Sequence, residues 1–309
     1  MKSLALIAAA LLLVSAGAQS QSSAKADARV GRADAAIAAI GSSKAADAQS
    51  LLCEIYGSID QRDRAITACA AAAAGAPANS TYALDLARAY GAKADHSGAL
   101  TGMRMVGKIR SAFERAAQLD PKNVEALSDL GQFYVEAPGI VGGGADKARD
   151  LATKLQPLSP ARAHRLTAMI AAKAHDDATA EAEYKAAIAT SHTPESYVDM
   201  ARYYRGRKQY EAAEQAARSA LQVDKDHGPD TLDAATLLLD LHRGTPAAQD
   251  GLRKYLATPQ VGVAAYARAH VLLGDSLKSA GDTNAAQAEY NAALALAHDY
   301  EPARRATGK

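Results

Sequence analysis

Few side chains in this 309-residue chain have the type and spacing for covalent or metal chemistry. Ser276 follows Gly274 and Asp275, while Asp224 and His227 stand three apart upstream. A serine turns nucleophilic when a nearby base takes its proton, a carboxylate orients that base and backbone donors face the oxyanion. Such a hydroxyl sits on a strand-to-helix turn, and no strand pattern leads into Ser276. Cys53 and Cys69 are the only cysteines, which excludes a four-thiolate metal site. The eight histidines, His96 through His298, show no H-E-x-x-H spacing and no cluster, so solvated rings are expected and neither metal nor cofactor. Ala137-Pro138-Gly139-Ile140-Val141-Gly142-Gly143-Gly144 lacks the Lys-Ser or Lys-Thr that completes a phosphate loop. A connecting loop is expected there, with Ile140 and Val141 available to a partner.

Helices must carry these residues. Alanine dominates, Trp is absent and Phe occurs only at Phe113 and Phe133, a composition suited to thin helices packed through small side chains. The spacing also recurs. Leu273, Gly274 and Leu277 precede a turn at Gly281-Asp282 and then Ala286, Tyr290 and Ala293. Leu52, Cys53 and Tyr56 precede Ala65, Cys69 and Ala72, and Met200, Ala201 and Tyr204 precede Tyr210, Ala213, Ala217 and Ala220. Leu86, Ala87 and Tyr90 lead to Phe113 and Ala116, and Leu130, Gly131 and Tyr134 lead to Ala148 and Leu155, each pair with an insertion between. An apolar stripe at every third or fourth residue, with small residues at the crossing, lets paired helices approach closely.

This pattern resembles the tetratricopeptide repeat, a 34-residue helical hairpin with small residues at its eighth, twentieth and twenty-seventh positions. The resemblance implies an all-α fold, a right-handed α-solenoid of about seven hairpins beginning near Ala46, Ser80, Val124, Ala161, Pro194, Pro229 and Ala267. The unit at Pro229 fits worst, with Thr236 at its small position. One hairpin cannot bury its own stripe, so each leans on its neighbours along a continuous core. Within this frame residues 46–309 form the solenoid, with insertions near 92–108 and 136–146. Residues 19–45 are read as a linker and an N-terminal capping helix over 22–40, its stripe made of Val30, Ala33, Ile37 and Ile40.

The string Gly274-Asp275-Ser276-Leu277 also resembles the motif of the GDSL serine esterases. Gly274 and Leu277, however, fill packing positions of a repeat, and the Asp224–His227 pair lies upstream where that family has it downstream. A non-enzymatic reading is therefore expected, with esterase chemistry as a remote alternative. Cys53 and Cys69 both face the junction between the helices of the first full unit, about one turn out of level. A disulfide and two buried thiols both remain open.

Lys2, the apolar run from Leu4 to Val14 and Ala16-Gly17-Ala18 read as a secretory signal over residues 1–18, cleaved near Ala18. A periplasmic or secreted chain is expected, and no later segment is apolar enough to cross a bilayer. The 35 basic and 34 acidic residues make no broad field for nucleic acid or an anionic membrane, although a local patch stays open.

In tetratricopeptide repeats the first helix of each unit lines the concave face through its second, fifth, ninth and twelfth positions. Carried onto this chain, those positions hold Arg88, Gln132, Arg165, Arg202, Arg205, Arg268 and Lys278, interrupted by Glu125, Glu195 and Asp275. The face leans basic, and arginine forks suit carboxylates. The Lys and Asn of the chaperone-tail-binding version are not at the fifth and ninth positions. The expectation is a scaffold or adaptor of the bacterial envelope that holds an acidic protein or peptide segment. The alternative is a small-ligand receptor of a transport system.

Overall fold

A computed structural model describes residues 19–308, and every regular element among them is helical. In chain order these are α1 (19–29), α2 (Ala33–Ile40), α3 (Ala46–Ser58), α4 (Arg62–Gly75), α5 (Ser80–Asp95) and α6 (Ala99–Leu119). There follow α7 (Val124–Glu136), a 3-10 turn at Gly139–Val141, α8 (Ala145–Leu155), α9 (Pro160–Lys173), α10 (Asp177–Ser191) and α11 (Pro194–Gly206). The last are α12 (Tyr210–Val223), α13 (Pro229–Asp240), α14 (Thr245–Ala257), α15 (Tyr266–Ser279), α16 (Thr283–Leu296) and α17 (Glu301–Thr307). Helices α3 to α16 pair into seven hairpins that start within one residue of the positions the repeat spacing predicts. The fold is an α-solenoid of helical hairpins. The secretory signal over residues 1–18 lies outside the described residues.

Small residues hold the hairpins together as the spacing implies. Ala87, Ala168, Ala201, Ala217, Ala235 and Ala293 are all fully buried. At Gly131 an added Cβ would collide with the Leu166 side chain, and at Gly274 it would lie 2.6 Å from the Tyr290 ring. Even the unit at Pro229 closes, α13 packing on α14, while the Thr236 hydroxyl is satisfied within α13 by the Leu232 carbonyl at 2.7 Å.

The turns repeat too. Asp60, His175, Lys208 and Gly281 each take a positive φ at the end of the first helix of their unit. The next residue caps the second helix in two units, where Asp176 accepts from the Thr179 amide and Asp282 from the Ala285 amide. Four histidines, His175, His192, His227 and His242, sit at such left-handed positions, which histidine tolerates better than most side chains.

The chain divides into two compact units. One comprises residues 76–258, that is α5 to α14, and the other residues up to Gly75 together with those from Pro259. In the first, the insertion expected at 92–108 is mostly helix rather than loop, since α5 runs to Asp95 and α6 extends over 21 residues. Two consecutive amphipathic helices simply lengthen around the short turn at 96–98.

The second unit corrects the reading of residues 19–45. In place of a linker and one capping helix there are two helices, parted where Gly31 takes φ +68°. A Cβ on Gly31 would lie 2.6 Å from that of Tyr266, so the break admits a buried aromatic ring. The amides of Gln260 and Ala264 donate to the carbonyls of Arg29 and Ala28 at 3.0 and 2.9 Å. These backbone bonds and the buried Ala24 and Ala28 tie the segment into the core, which a linker is not. In the same unit Cys53 and Cys69 are bonded, with Cα atoms 5.0 Å apart. Helix α17 packs on α16, and the Tyr300 hydroxyl donates to the Asp60 carboxylate at 3.2 Å.

Candidate partner-binding groove

Five of the seven residues carried over from the repeat lie in the 76–258 unit, on its first helices. Arg88 is on α5, Gln132 on α7, Arg165 on α9, and Arg202 and Arg205 on α11. They stand in a ladder in which an arginine on one first helix reaches a carboxylate on the next. Arg88 donates to Asp129 at 2.7 Å and to Glu125 at 3.0 Å. Arg165 donates to Asp199 at 2.8 Å and to the Gln132 side-chain carbonyl at 2.7 Å. Arg202 reaches Asp233 at 2.7 Å, Arg205 reaches Asp240 at 3.1 Å and Arg162 reaches Glu195 at 3.1 Å.

The ladder changes the electrostatics of the face. Read position by position the face is basic, but each of these arginines already has an acidic neighbour one repeat along. Burial opposes the Arg165 charge and the Asp199 carboxylate outweighs it, so the guanidinium pKa rises above its ordinary value. Glu125 and Glu195 fall on the carried-over positions, but four other acids of the ladder do not, for two reasons. Asp129 and Asp199 occupy the sixth position of their units, beside the fifth. Asp233 and Asp240 fall in the unit at Pro229, whose poor match kept its inner positions out of account. An i-to-next-unit comparison of arginine and aspartate was the signal that would have found them.

A hollow of about 520 Å³ opens beside the ladder, between α7, α9 and α11. Its apolar side is made by Val135, Met169 and the tilted pair Tyr184 and Tyr203, whose ring centroids are 5.1 Å apart. Burial, and then the Asp199 charge, push the Tyr184 hydroxyl up to about 12, so it stays a neutral donor. The rim carries Lys173, Arg202 and Arg207 against Glu136. Arg207 is tied to Asp177 and to the Ala172 carbonyl, whereas Lys173 is exposed with no ion pair among the described residues. The hollow therefore offers an aromatic wall and one uncommitted cation.

Arg268 and Lys278 lie exposed on α15, in the other unit, so this hollow does not include them. On the same helix Ser276 is 7% exposed within an unbroken helical turn, and Gly274 packs against Tyr290, whose hydroxyl donates to Asp275 at 2.7 Å. The strand-to-helix turn that presents a nucleophilic serine is absent there. Asp224 spends its carboxylate on the Thr231 hydroxyl and the Gly228 and Asp226 amides. Two histidines depart from the solvated expectation: His164 pairs with Glu183 at 2.7 Å and His270 with Glu289 at 2.6 Å, both half-buried. Among the described residues no group of three or more His, Cys, Asp or Glu is placed to hold a metal, and no helix is long and apolar enough to cross a membrane.

The sequence matches no family profile and no curated protein. Among solved structures, yeast Tom70 superposes with a TM-score of 0.52 at 15% identity, covering 89% of this chain and 58% of that one. The Cut9–Hcn1 hetero-tetramer of the APC/C gives 0.40 at 13%, over 85% of this chain and 48% of that one. A thermophilic TPR protein of Thermus thermophilus gives 0.39 at 19%, over 68% and 92%. The chain thus spans about half the length of the first two. The Tom70 superposition bears on the fold alone, an α-solenoid of helical hairpins.

Proposed function

We propose that the protein is a non-enzymatic scaffold or adaptor that holds an extended segment of a partner protein in the groove of the 76–258 unit. The observation that carries this reading is the hollow between α7, α9 and α11, where a tyrosine pair and Met169 stand beside cations. Such a surface accepts an aromatic or aliphatic side chain, and Lys173 with the outer edge of Arg202 accepts a neighbouring carboxylate. The partner segment is then acidic, with one large apolar residue. Binding to a peptide array tests this: acidic peptides bearing Phe, Tyr or Leu should be retained, and Tyr203→Ala with Lys173→Glu should release them. Retention by the double variant equal to the parent would sink the groove proposal.

The hollow's volume also lies in the range of small-molecule pockets, which supports a second reading as a ligand receptor of a transport system. Native mass spectrometry separates the two, because a receptor purified from cells retains a small ligand and a scaffold does not.

Export to the bacterial periplasm fits both readings. The signal-like residues 1–18 support it, as does the Cys53–Cys69 bond, which persists in an oxidising compartment. Recovery of the chain in the cytoplasmic fraction, with residues 1–18 still attached, would argue against it.

A further inference from the structure

Helix α6, which carries the first insertion at its start, touches the loop of the second farther along, outside the groove. Helix α6 begins early with Leu100 and Met103, which are 66% and 68% exposed. The glycine loop between α7 and α8 carries Ile140, 96% exposed. Arg110 on α6 joins the two by donating to the Val141 carbonyl at 3.2 Å, and a side chain on Gly142 would collide with its guanidinium. Lys147 fixes the far side of the loop by donating to the Gly142 carbonyl at 2.9 Å. The loop is thus held in place with its one large apolar residue pointing to solvent.

The start of α6 is basic, its first acid being Glu114, 3.9 Å from Arg110, while Glu136 and Asp146 flank the loop. Residues 99–113 contain Arg104, Lys108 and Arg110 and no acid. Leu100, Met103, Arg104, Gly107, Lys108 and Ser111 are exposed at helical spacing, so they share one stripe of α6. Leucine and methionine occupy its leading end, with the cations one and two turns behind. An apolar tip backed by long cationic side chains is how a helix enters the headgroup layer of a bilayer, the apolar residues reaching the acyl boundary and the cations the phosphates. A protein partner for a surface this basic would have to bring its own acids, whereas an anionic bilayer supplies them at any orientation.

We propose that the protein docks peripherally on anionic lipid surfaces through the start of α6 and the Ile140 loop. None of the groove's lining residues takes part, so the proposal stands or falls apart from the groove reading.

The test is cosedimentation of the full chain with vesicles of phosphatidylcholine alone and of phosphatidylcholine with phosphatidylglycerol. The chain should pellet with the phosphatidylglycerol vesicles only. Three exposed-site variants, Leu100→Asp with Met103→Asp, Ile140→Asp, and Arg104→Glu with Lys108→Glu, should each bind on the order of tenfold more weakly, with unchanged circular dichroism. Failure to pellet with anionic vesicles, equal binding to both compositions, or undiminished binding by any of the three would overturn it.

Discussion

Arg165 on α9 and Asp199 on α11 form an ion pair at 2.8 Å that joins two successive repeats, with only 16% and 9% of the two side chains exposed. Water screens such a pair poorly, and deleting one member leaves the other charge stranded. Arg165→Met is therefore expected to cost about 3 kcal/mol of stability, and Arg165→Met with Asp199→Leu distinctly less. A double-mutant cycle in urea decides it. Single variants costing under about 1 kcal/mol would mark the pair as one more surface bridge, and the ladder as decoration.

Asp230 gives a pH dependence. Burial first, and then Glu195, Asp233, Asp224 and Asp199, push its carboxyl from 3.8 up to about 6. Between those values the folded chain holds a proton that the unfolded chain has released, so this group makes stability fall as pH rises through the window. Asp230→Asn removes that slope. Because the side chain is partly open to solvent, the variant should gain only roughly 1 kcal/mol at pH 7 and nothing at pH 4. Equal stability of variant and parent at both pH values would show that neither burial nor the surrounding acids raise the Asp230 carboxyl.

Gly274 tests the small-residue crossings. Glycine within a helix ordinarily costs about 1 kcal/mol relative to alanine, so propensity alone predicts that Gly274→Ala stabilises. A Cβ there would lie 2.6 Å from the Tyr290 ring, which its hydroxyl bond to Asp275 holds in place. Overpacking should win, with a net loss of about 1–3 kcal/mol in thermal or urea unfolding. A gain would mean that the ring moves aside freely and that the crossing tolerates more than alanine-sized gaps.

The repeat was legible because packing between helices is local: a small residue at a crossing fixes its own hairpin whatever lies elsewhere. The same locality is why the positions of Arg88, Arg165 and Arg202, taken one unit at a time, lean basic. Their partners Asp129, Asp199 and Asp233 belong to the next repeat, so the charge of the inner face is a property of two units at once. The hollow depends in the same way on Tyr184, a second-helix residue that the inner-face positions do not include. The bonds from Gln260 and Ala264 to Arg29 and Ala28 were hidden more deeply, since links between backbone amides and carbonyls of distant segments leave no trace in side-chain type.

That last contact has the sharpest consequence. The Gln260 and Ala264 amides donate to carbonyls at Arg29 and Ala28, Arg29 donates in return to the Val261 carbonyl at 3.0 Å, and Gly31 seats the Tyr266 ring. All of these partners lie on α1 or just after it, while the residues they serve lead into α15. A chain starting at Ala33 would leave two amides without acceptors and uncover Tyr266. Hydrogen exchange should then show protection across α15 falling on the order of a hundredfold, with α9 to α12 unchanged, because local opening follows the contacts that are lost. Unchanged protection in α15 would instead return residues 19–32 to the role of a linker and capping helix, and the bonds to Arg29 and Ala28 would count for nothing in solution.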